Sequence, residues 1–391
     1  MDLDAFGTSA PGILIPISGT DPRTGEQYSH KAFLPNPLPD EPPALSAKTW
    51  ETVTQASLAL GRLDQAGHRV PNPGLLIRPS VRREAVSTSA LEGTYAPFQE
   101  VLEADVEEEA PESSAALHEV LNYVRVAELA LDRIKERPIS VGMLCELQGL
   151  LVGGTSGDTD DAGRVREVQV VVGPRGSRIE DARYVPPPPG DQLRAGLDAW
   201  ESWLQDHRAN AVVAVAMAHY QFEALHPFTD GNGRIGRLLL VLQLVRDGVL
   251  HHGLITISPW LEQRRLEYQD QLLRVSQTGD FDPWIRFMAT ALRDRADAAG
   301  SQVERLLGFE QSMKDLARSY PLRGVAAAIA EDLIGRPVVT PTGASKLYGV
   351  SYPAANNAVA RLVDAGVLRE VTGKRYSRVF VAPEVLAILN G

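Results

Sequence analysis

The sequence predicts a mainly α-helical protein with one inserted β-hairpin and a small helix-turn-helix tail. Three observations lead there. Long stretches place apolar residues at helical spacing, and two of them, ANAVVAVAMAHYQFEAL (209–225) and RLLLVLQLVRDG (237–248), are apolar nearly all round, as buried helices are. One stretch, REVQVVVG (166–173), alternates and is rich in Val, as a strand is. After Arg336 the chain changes its grammar to helix, turn, helix and two short strands.

The elements follow in order. Residues 1–45 are rich in Pro and Gly, and FLPNPLPDEPP (33–43) reads as extended, wrapping chain. Helix begins near Ser46, whose hydroxyl can cap a first turn. A second helix starts at Pro79, which suits a first helical turn, and ends at Gly93. Helices are predicted over 113–135 and 139–152, then a loop over 153–164. The strand 166–173, the turn 173–178 and the return ARYVPPPPG (182–190) make a hairpin. Helices resume at 191–205 and 209–225, and again after a Gly-rich loop, at 260–275 and at 282–300. In the tail, TPTGASKLYG (340–349) and SYPAANNAVARLVDAGVL (351–368) form the helix pair, and REVTGKRYSRVFVAP (369–383) the two strands. No fixed-period repeat is present.

Composition narrows the function classes. A chain of 391 residues suggests two to three domains, and 44% hydrophobic with 23% charged residues excludes a disordered or collagen-like protein. A net charge of −11 argues against a surface coated by nucleic acid. The charge is uneven: Arg336–Gly391 holds seven basic and three acidic residues, so a mildly basic tail follows an acidic body. The single cysteine, Cys145, makes neither an intramolecular disulfide nor a zinc cluster. Asp2 and Asp4 stand where a signal peptide carries Lys or Arg, and the richest apolar runs fall short of a membrane span. The expectation is a cytoplasmic, reduced protein without a membrane partner.

The segment HPFTDGNGRIGR, His226 to Arg237, joins the two buried helices. Gly231 and Gly233 permit positive φ and close backbone approach, and the amides opening the next helix make an anion seat. Arg234 and Arg237, three apart, share a helix face and can fork onto phosphate oxygens. Asp230 is a hard carboxylate suited to magnesium, and His226 can be a neutral base near pH 7. Any one of these features alone is more often structural. Together, at this spacing, they form a toolkit for phosphoryl or nucleotidyl transfer.

This segment resembles the Fic motif, HPFx[D/E]GNGRxxR, at every specified position. The resemblance implies a Fic-type helical core with a β-hairpin flap, and transfer of AMP from ATP to a protein hydroxyl. It implies that His226 deprotonates a Ser, Thr or Tyr hydroxyl and that Asp230 holds Mg2+. Asn232 and the Gly231 and Gly233 backbone would line the anion hole, with Ile235 and Gly236 in the same nucleotide-binding turn. Arg234 would contact the phosphates and Arg237 would hold the γ-phosphate. Pro227 and Phe228 would anchor the loop. The hairpin resembles the family flap, so Val172, Gly173, Pro174 and Arg175 are expected flap contacts. Tyr268 is the adenosine-side candidate, although Gln269 stands where many members carry a second Tyr.

TSALEG, Thr88 to Gly93, resembles the family's inhibitory signature, [S/T]xxxE[G/N], ahead of the core. Glu92 falls at a helix end, where its carboxylate opposes the helix dipole and calls for a cationic partner. The resemblance supplies Arg237 as that partner. The implied organisation is an N-terminal region, 1–114, with an inhibitory helix over about 79–93, a catalytic core, 115–300, and a tail, 301–391, resembling a winged helix-turn-helix domain.

Alternatives stay open. The same site can remove AMP from a modified target, or carry UMP, phosphocholine or phosphate. The chain can also be a DNA-binding regulator whose core senses nucleotide, with Arg361, Lys374, Arg375 and Arg378 on phosphates. Winged helices also serve as dimer or protein-docking modules, so a homodimer and self-modification are further expectations.

Overall fold

The chain opens with an antiparallel hairpin, β1 (Gly12–Thr20) and β2 (Gln27–Pro35), in register from Gly12 opposite Pro35 to Thr20 opposite Gln27. The sequence reading predicted only extended wrapping chain here. The alternation in GILIPISGT is present, but Pro16 disguises it, and Pro is tolerated in a two-stranded ribbon whose outer edges need no partner. Helices then dominate: α1 (Ala47–His68), α2 (Gly74–Leu91), α3 (Phe98–Ala104), α4 (Ala115–Arg133), α5 (Val141–Val152), α6 (Asp191–Asp206), α7 (Ala211–Leu225), α8 (Asn232–Arg246), α9 (Ser258–Gln263), α10 (Arg265–Thr278), α11 (Asp282–Ser319) and α12 (Val325–Asp332). The tail holds β3 (Val338–Val339), α13 (Pro341–Leu347), α14 (Tyr352–Asp364), β4 (Arg369–Glu370), β5 (Phe380–Val381) and α15 (Pro383–Asn390). This is a computed structural model, and it describes every residue except 21–24, 71, 105–113, 175–177, 321, 373–377 and 391. The fold is mainly α, as predicted.

Several helix ends follow from named side chains. The Ser46 hydroxyl accepts the Thr49 amide at 3.3 Å, Ser140 accepts Met143 at 3.1 Å, and Thr340 accepts Gly343 at 3.0 Å. Glu92 caps the C-terminus of α2, and Gly93 follows with φ of 89°, a conformation that Cβ-bearing residues avoid. The α2 helix begins at Gly74, ahead of the predicted start, and Pro79 lies inside it. The predicted helix 282–300 continues without a break to Ser319.

The chain divides into two compact units, with divisions inside α1, α4 and α11. The first comprises Met1–Leu58, Arg125–Val249 and Ile257–Asp294. Its core is the adjacent pair α7 and α8. Trp200 of α6 donates to the Ala218 carbonyl at 3.0 Å, and Trp284 of α11 donates to Ala216 at 2.8 Å. Both indoles are buried, so each ring packs while its N–H is satisfied on a carbonyl of α7. The Pro-rich stretch after β2 wraps this core as predicted: Asn36 accepts from the Gln221 amide and Pro39 from the Trp203 indole, each at 2.9 Å.

The second unit comprises Ala59–Val124, Leu250–Thr256 and Arg295–Gly391. Its small sheet has the order β3-β5-β4, both pairings antiparallel, and Leu102 packs on Val338, Val379 and Val381. The predicted order of helix, turn, helix and two strands is present, and β3 joins it from the chain before α13. Arg378 donates to Asn356 on α14 at 2.6 Å and lies over the Phe380 ring. Lys374 and Arg375 lie outside the described residues. Among the described residues no helix is long and apolar enough to cross a membrane.

Candidate active site at the α7–α8 junction

The site is built where α7 stops. Pro227 has no amide proton and disfavours helical backbone in the residue before it. His226 accordingly caps α7 with φ of 51° and ψ of 62°, the one non-glycine residue with positive φ among those described. That conformation costs an ordinary side chain about 1–2 kcal/mol. Its amide still donates to the Phe222 carbonyl at 2.9 Å.

A buried arginine holds the residue there. Arg166 is 1% exposed. Its Nε donates to the His226 carbonyl at 2.8 Å and its Nη2 to Pro187 at 2.6 Å and Leu225 at 3.5 Å. Its Nη1 donates to Val168 at 3.0 Å, and its own amide to the Pro227 carbonyl at 2.9 Å. Burial lowers its pKa to about 10, so it remains a cation at neutral pH. A cation on the end carbonyls of α7 also complements the helix dipole.

The imidazole stands above a second carboxylate: His226 Nδ1 is 4.0 Å from Oε2 of Glu223, one turn earlier on α7. Glu223 has room because the facing residue on α8 is glycine. A Cβ on Gly236 would stand 2.5 Å from Glu223 Oε1 and 3.1 Å from the Phe222 ring. Below Gly236 lies His219, fully buried, whose Nδ1–H donates to the Gly236 carbonyl at 3.0 Å. With that proton placed, Nε2 accepts from the Tyr268 hydroxyl at 2.8 Å. Burial, with the Arg237 guanidinium nearby, lowers the His219 pKa to about 3.

The loop from Pro227 to Gly231 is closed by Asn232. Its amide nitrogen donates to the Phe228 carbonyl at 2.7 Å and its oxygen accepts the Phe228 amide at 2.8 Å. Phe228 is buried beside Phe222, as an anchor should be. Gly231, at φ 84°, turns the chain into α8, whose first bond runs from the Ile235 amide to the Gly231 carbonyl. The opening amides of α8 have no acceptors within the helix, which makes its mouth electropositive. Arg234 and Arg237 are both buried on the first two turns of α8.

Asp230 is half-exposed at the same mouth. Its Oδ1 accepts the Gly231 amide at 2.6 Å and lies 3.5 Å from Arg234 Nη2, while its carbonyl accepts from Gln148 at 3.0 Å. A Cβ at Gly157 would stand 2.3 Å from Asp230 Oδ2, so the loop 153–164 approaches the carboxylate only because that residue is glycine. A hard, accessible carboxylate in such a cradle suits a magnesium ion. Asp161 of the same loop accepts from Thr229. Burial opposes its ionisation, but hydrogen bonds from Thr159 and Thr229 hold its pKa below the usual carboxylate range.

The flap differs from its expected form. Among the described residues of the flap, one antiparallel bridge forms, Val172 with Tyr184. The return leg explains this: after Tyr184 and Val185 come four prolines, which have no amide protons for a ladder. Side chains take the free carbonyls instead, Gln169 on Pro186 at 3.0 Å and Arg166 on Pro187. Gly173 and Pro174 follow at the exposed tip, and Arg175 lies outside the described residues. Beside the bridge a cleft reaches His226, with Glu223, Arg183, Tyr184, Gln269 and Leu272 in its walls.

Two expected site residues do other work. Tyr268 is buried against His219 and Trp284 and does not line this cleft; its neighbour Gln269 does. The Asn232 side chain shapes the loop rather than facing outward. Glu92 closes α2 in the second compact unit, at an exposed position. Arg166, Gln148, Asp161, His219 and Glu223 were not foreseen. Glu223 had a signal, its i, i+3 spacing from His226. Arg166 had only its place in a Val-rich run.

Residues 50–132 match the Fic/DOC family N-terminal region, and residues 138–244 match the Fic/DOC family domain. Residues 50–244 thus carry the N-terminal region and the domain of the Fic/DOC family in sequence. It is 38% identical over 135 residues to a protein adenylyltransferase Fic of Aedes aegypti, covering 34% of this chain and 24% of that protein. It is 32% identical over 167 residues to the protein of that name in Drosophila grimshawi, covering 42% and 31%. The matched stretch thus spans less than a third of the length of either relative. The fold is that of a Fic family protein from Desulfovibrio desulfuricans G20, with a TM-score of 0.55 at 19% identity over 87% of this chain and 97% of that one.

The account predicts that Arg166→Met lowers unfolding stability by about 3 kcal/mol or more, because several buried carbonyls lose a charged donor at once. Urea denaturation measures it, and a loss under about 1 kcal/mol would contradict the role. His219 should stay neutral at pH 5, read from ring-nitrogen chemical shifts. Since its folded pKa lies below the unfolded value, stability should be full above pH 6.5 and fall as pH drops toward 3. His219→Gln should flatten that limb.

Proposed function

We propose that this chain transfers AMP from ATP to a hydroxyl side chain of a protein substrate, itself included. The observation that carries the reading is the junction itself: an imidazole held in a left-handed cap beside the electropositive mouth of a helix bearing two buried arginines. The relatives' name, protein adenylyltransferase, supports the same reading. In it, His226 takes the proton of the attacking hydroxyl. The oxygen bonds to the α-phosphorus, the α–β anhydride bond breaks, and pyrophosphate leaves. The amides of Asn232, Gly233 and Arg234 seat the phosphates, with the Arg234 and Arg237 guanidinium groups on the β- and γ-phosphates. Ile235 and Gly236 contribute backbone and close packing to that turn. Asp230 would hold magnesium, which supplies charge neutralisation for the triphosphate when bound.

The cleft beside His226 takes the nucleoside in this reading, with Leu272 and Ala224 as apolar walls and Gln269 as the polar contact. Tyr268 acts from behind, holding His219 under Gly236. Val172, Gly173 and Pro174, with Arg175, steady the target segment at the flap. Glu92 is the brake: its carboxylate pairs with Arg237 and denies the γ-phosphate its arginine. The motif TSALEG and the position of Glu92 at a helix end support this assignment. The lone thiol, Cys145, supports a reducing, cytoplasmic setting.

Incubation with Mg2+ and each nucleoside triphosphate, followed by intact-protein mass spectrometry, tests the reading. Glu92→Gly should gain the mass of AMP from ATP at least tenfold faster than the wild type. His226→Ala in that background should gain none. Labelling that survives loss of His226 would refute the base, and equal labelling of wild type and Glu92→Gly would refute the brake.

A further inference from the structure

Within the second compact unit, three ligating side chains converge on one point. Asp64 and His68 lie one turn apart on α1, and His251 lies in the segment Leu250–Thr256 of the same unit. Their facing atoms form a triangle. Asp64 Oδ2 is 3.0 Å from His251 Nδ1 and 3.5 Å from His68 Nε2, and the two ring nitrogens are 3.2 Å apart. From these distances we propose that Asp64, His68 and His251 bind a transition-metal ion of the zinc class, which clips the 250–256 segment to α1.

The dimensions support the assignment. Zn–N and Zn–O bonds of about 2.0–2.1 Å place the ligands of a tetrahedral ion about 3.3 Å apart. The observed triangle fits one face of that tetrahedron, with the fourth position open to water. The donor set, two imidazoles and one carboxylate, favours zinc, nickel, cobalt or copper over magnesium or calcium, which prefer oxygen alone.

The hydrogen-bond count points the same way. His251 Nδ1 carries at most one proton, yet it faces both oxygens of Asp64, at 3.0 and 3.2 Å, and the His68 nitrogen. A carboxylate and two ring nitrogens that face one point are a donor set that a single cation can share. The His68 and His251 rings also meet edge to face at 4.5 Å, so both imidazoles already point their nitrogens inward.

The site is preformed by contacts that need no ion. The Asp64 carboxylate accepts the His251 backbone amide at 2.8 Å. Leu254 is buried against Gly67, where a Cβ would stand 2.8 Å from its methyl carbon. His68 and His251 are substantially exposed, which gives an ion access from solvent and makes both replaceable without cost to the core.

The test uses the full chain with Asp230→Asn, so that the transfer-site carboxylate does not contribute, stripped by a chelator and titrated with Zn2+ in a calorimeter. A parallel titration with Co2+ is followed by visible absorption. The expected result is one saturable equivalent per chain, tetrahedral Co2+ bands, and a thermal midpoint that rises with zinc and falls with chelator. Affinity should drop at least about tenfold in His68→Ala and again in His251→Ala. Asp64→Asn, checked for unchanged circular dichroism, should weaken it too. No saturable equivalent, or binding unchanged in both histidine variants, would overturn the site.

Discussion

The junction between α7 and α8 depends on one buried cation. Placing a guanidinium inside a protein is costly unless carbonyls or carboxylates surround it. Arg166 meets that condition with the carbonyls of His226, Leu225, Pro187 and Val168. Those carbonyls belong to the end of α7, to the proline leg and to the strand-like leg before the flap. One side chain therefore ties together the segments that surround His226. It also stabilises the left-handed cap at His226.

Around that cap, small residues decide how closely the walls approach. Gly157 lets the 153–164 loop reach Asp230, and Gly236 lets Glu223 and His219 sit against α8. The polar atoms brought in this way are matched in pairs. Asn232 closes on both backbone groups of Phe228, and Gln148 spans the Asp230 carbonyl and the Gly163 amide, the latter at 2.6 Å. These bonds shape the loop without a nucleotide, the kind of preorganisation that electrostatic catalysis uses. The anion seat and the candidate base stand at the ends of two core helices, and the candidate metal carboxylate stands on the short loop that joins them, closed by Asn232.

Much of this was legible in the sequence, and the reasons for the rest are physical. Buried helices such as α7 and α8 announce themselves because they are apolar on every face, and the dense run from His226 to Arg237 leaves little room for chance. The cap at Ser46 and the helix end at Glu92 and Gly93 follow from local chemistry. What periodicity cannot reveal is which partner a polar side chain chooses. Tyr268 reads as a cleft residue until its hydroxyl is seen on His219, and Asn232 reads as an anion ligand until both ends of its amide are seen on Phe228. Arg166 looks like the surface residue of an alternating strand. Its burial is decided by the four prolines that leave carbonyls without ladder partners, a relation twenty residues distant in sequence. The hairpin of β1 and β2 was hidden because Pro16 and Pro35 suggested open chain.

The most direct test of the central claim is a crystal of the chain soaked with ATP and magnesium. The account predicts triphosphate density over the opening amides of α8, with Arg234 and Arg237 turned onto it and the His226 ring facing the α-phosphate. A nucleotide bound elsewhere, with that helix mouth vacant, would contradict it.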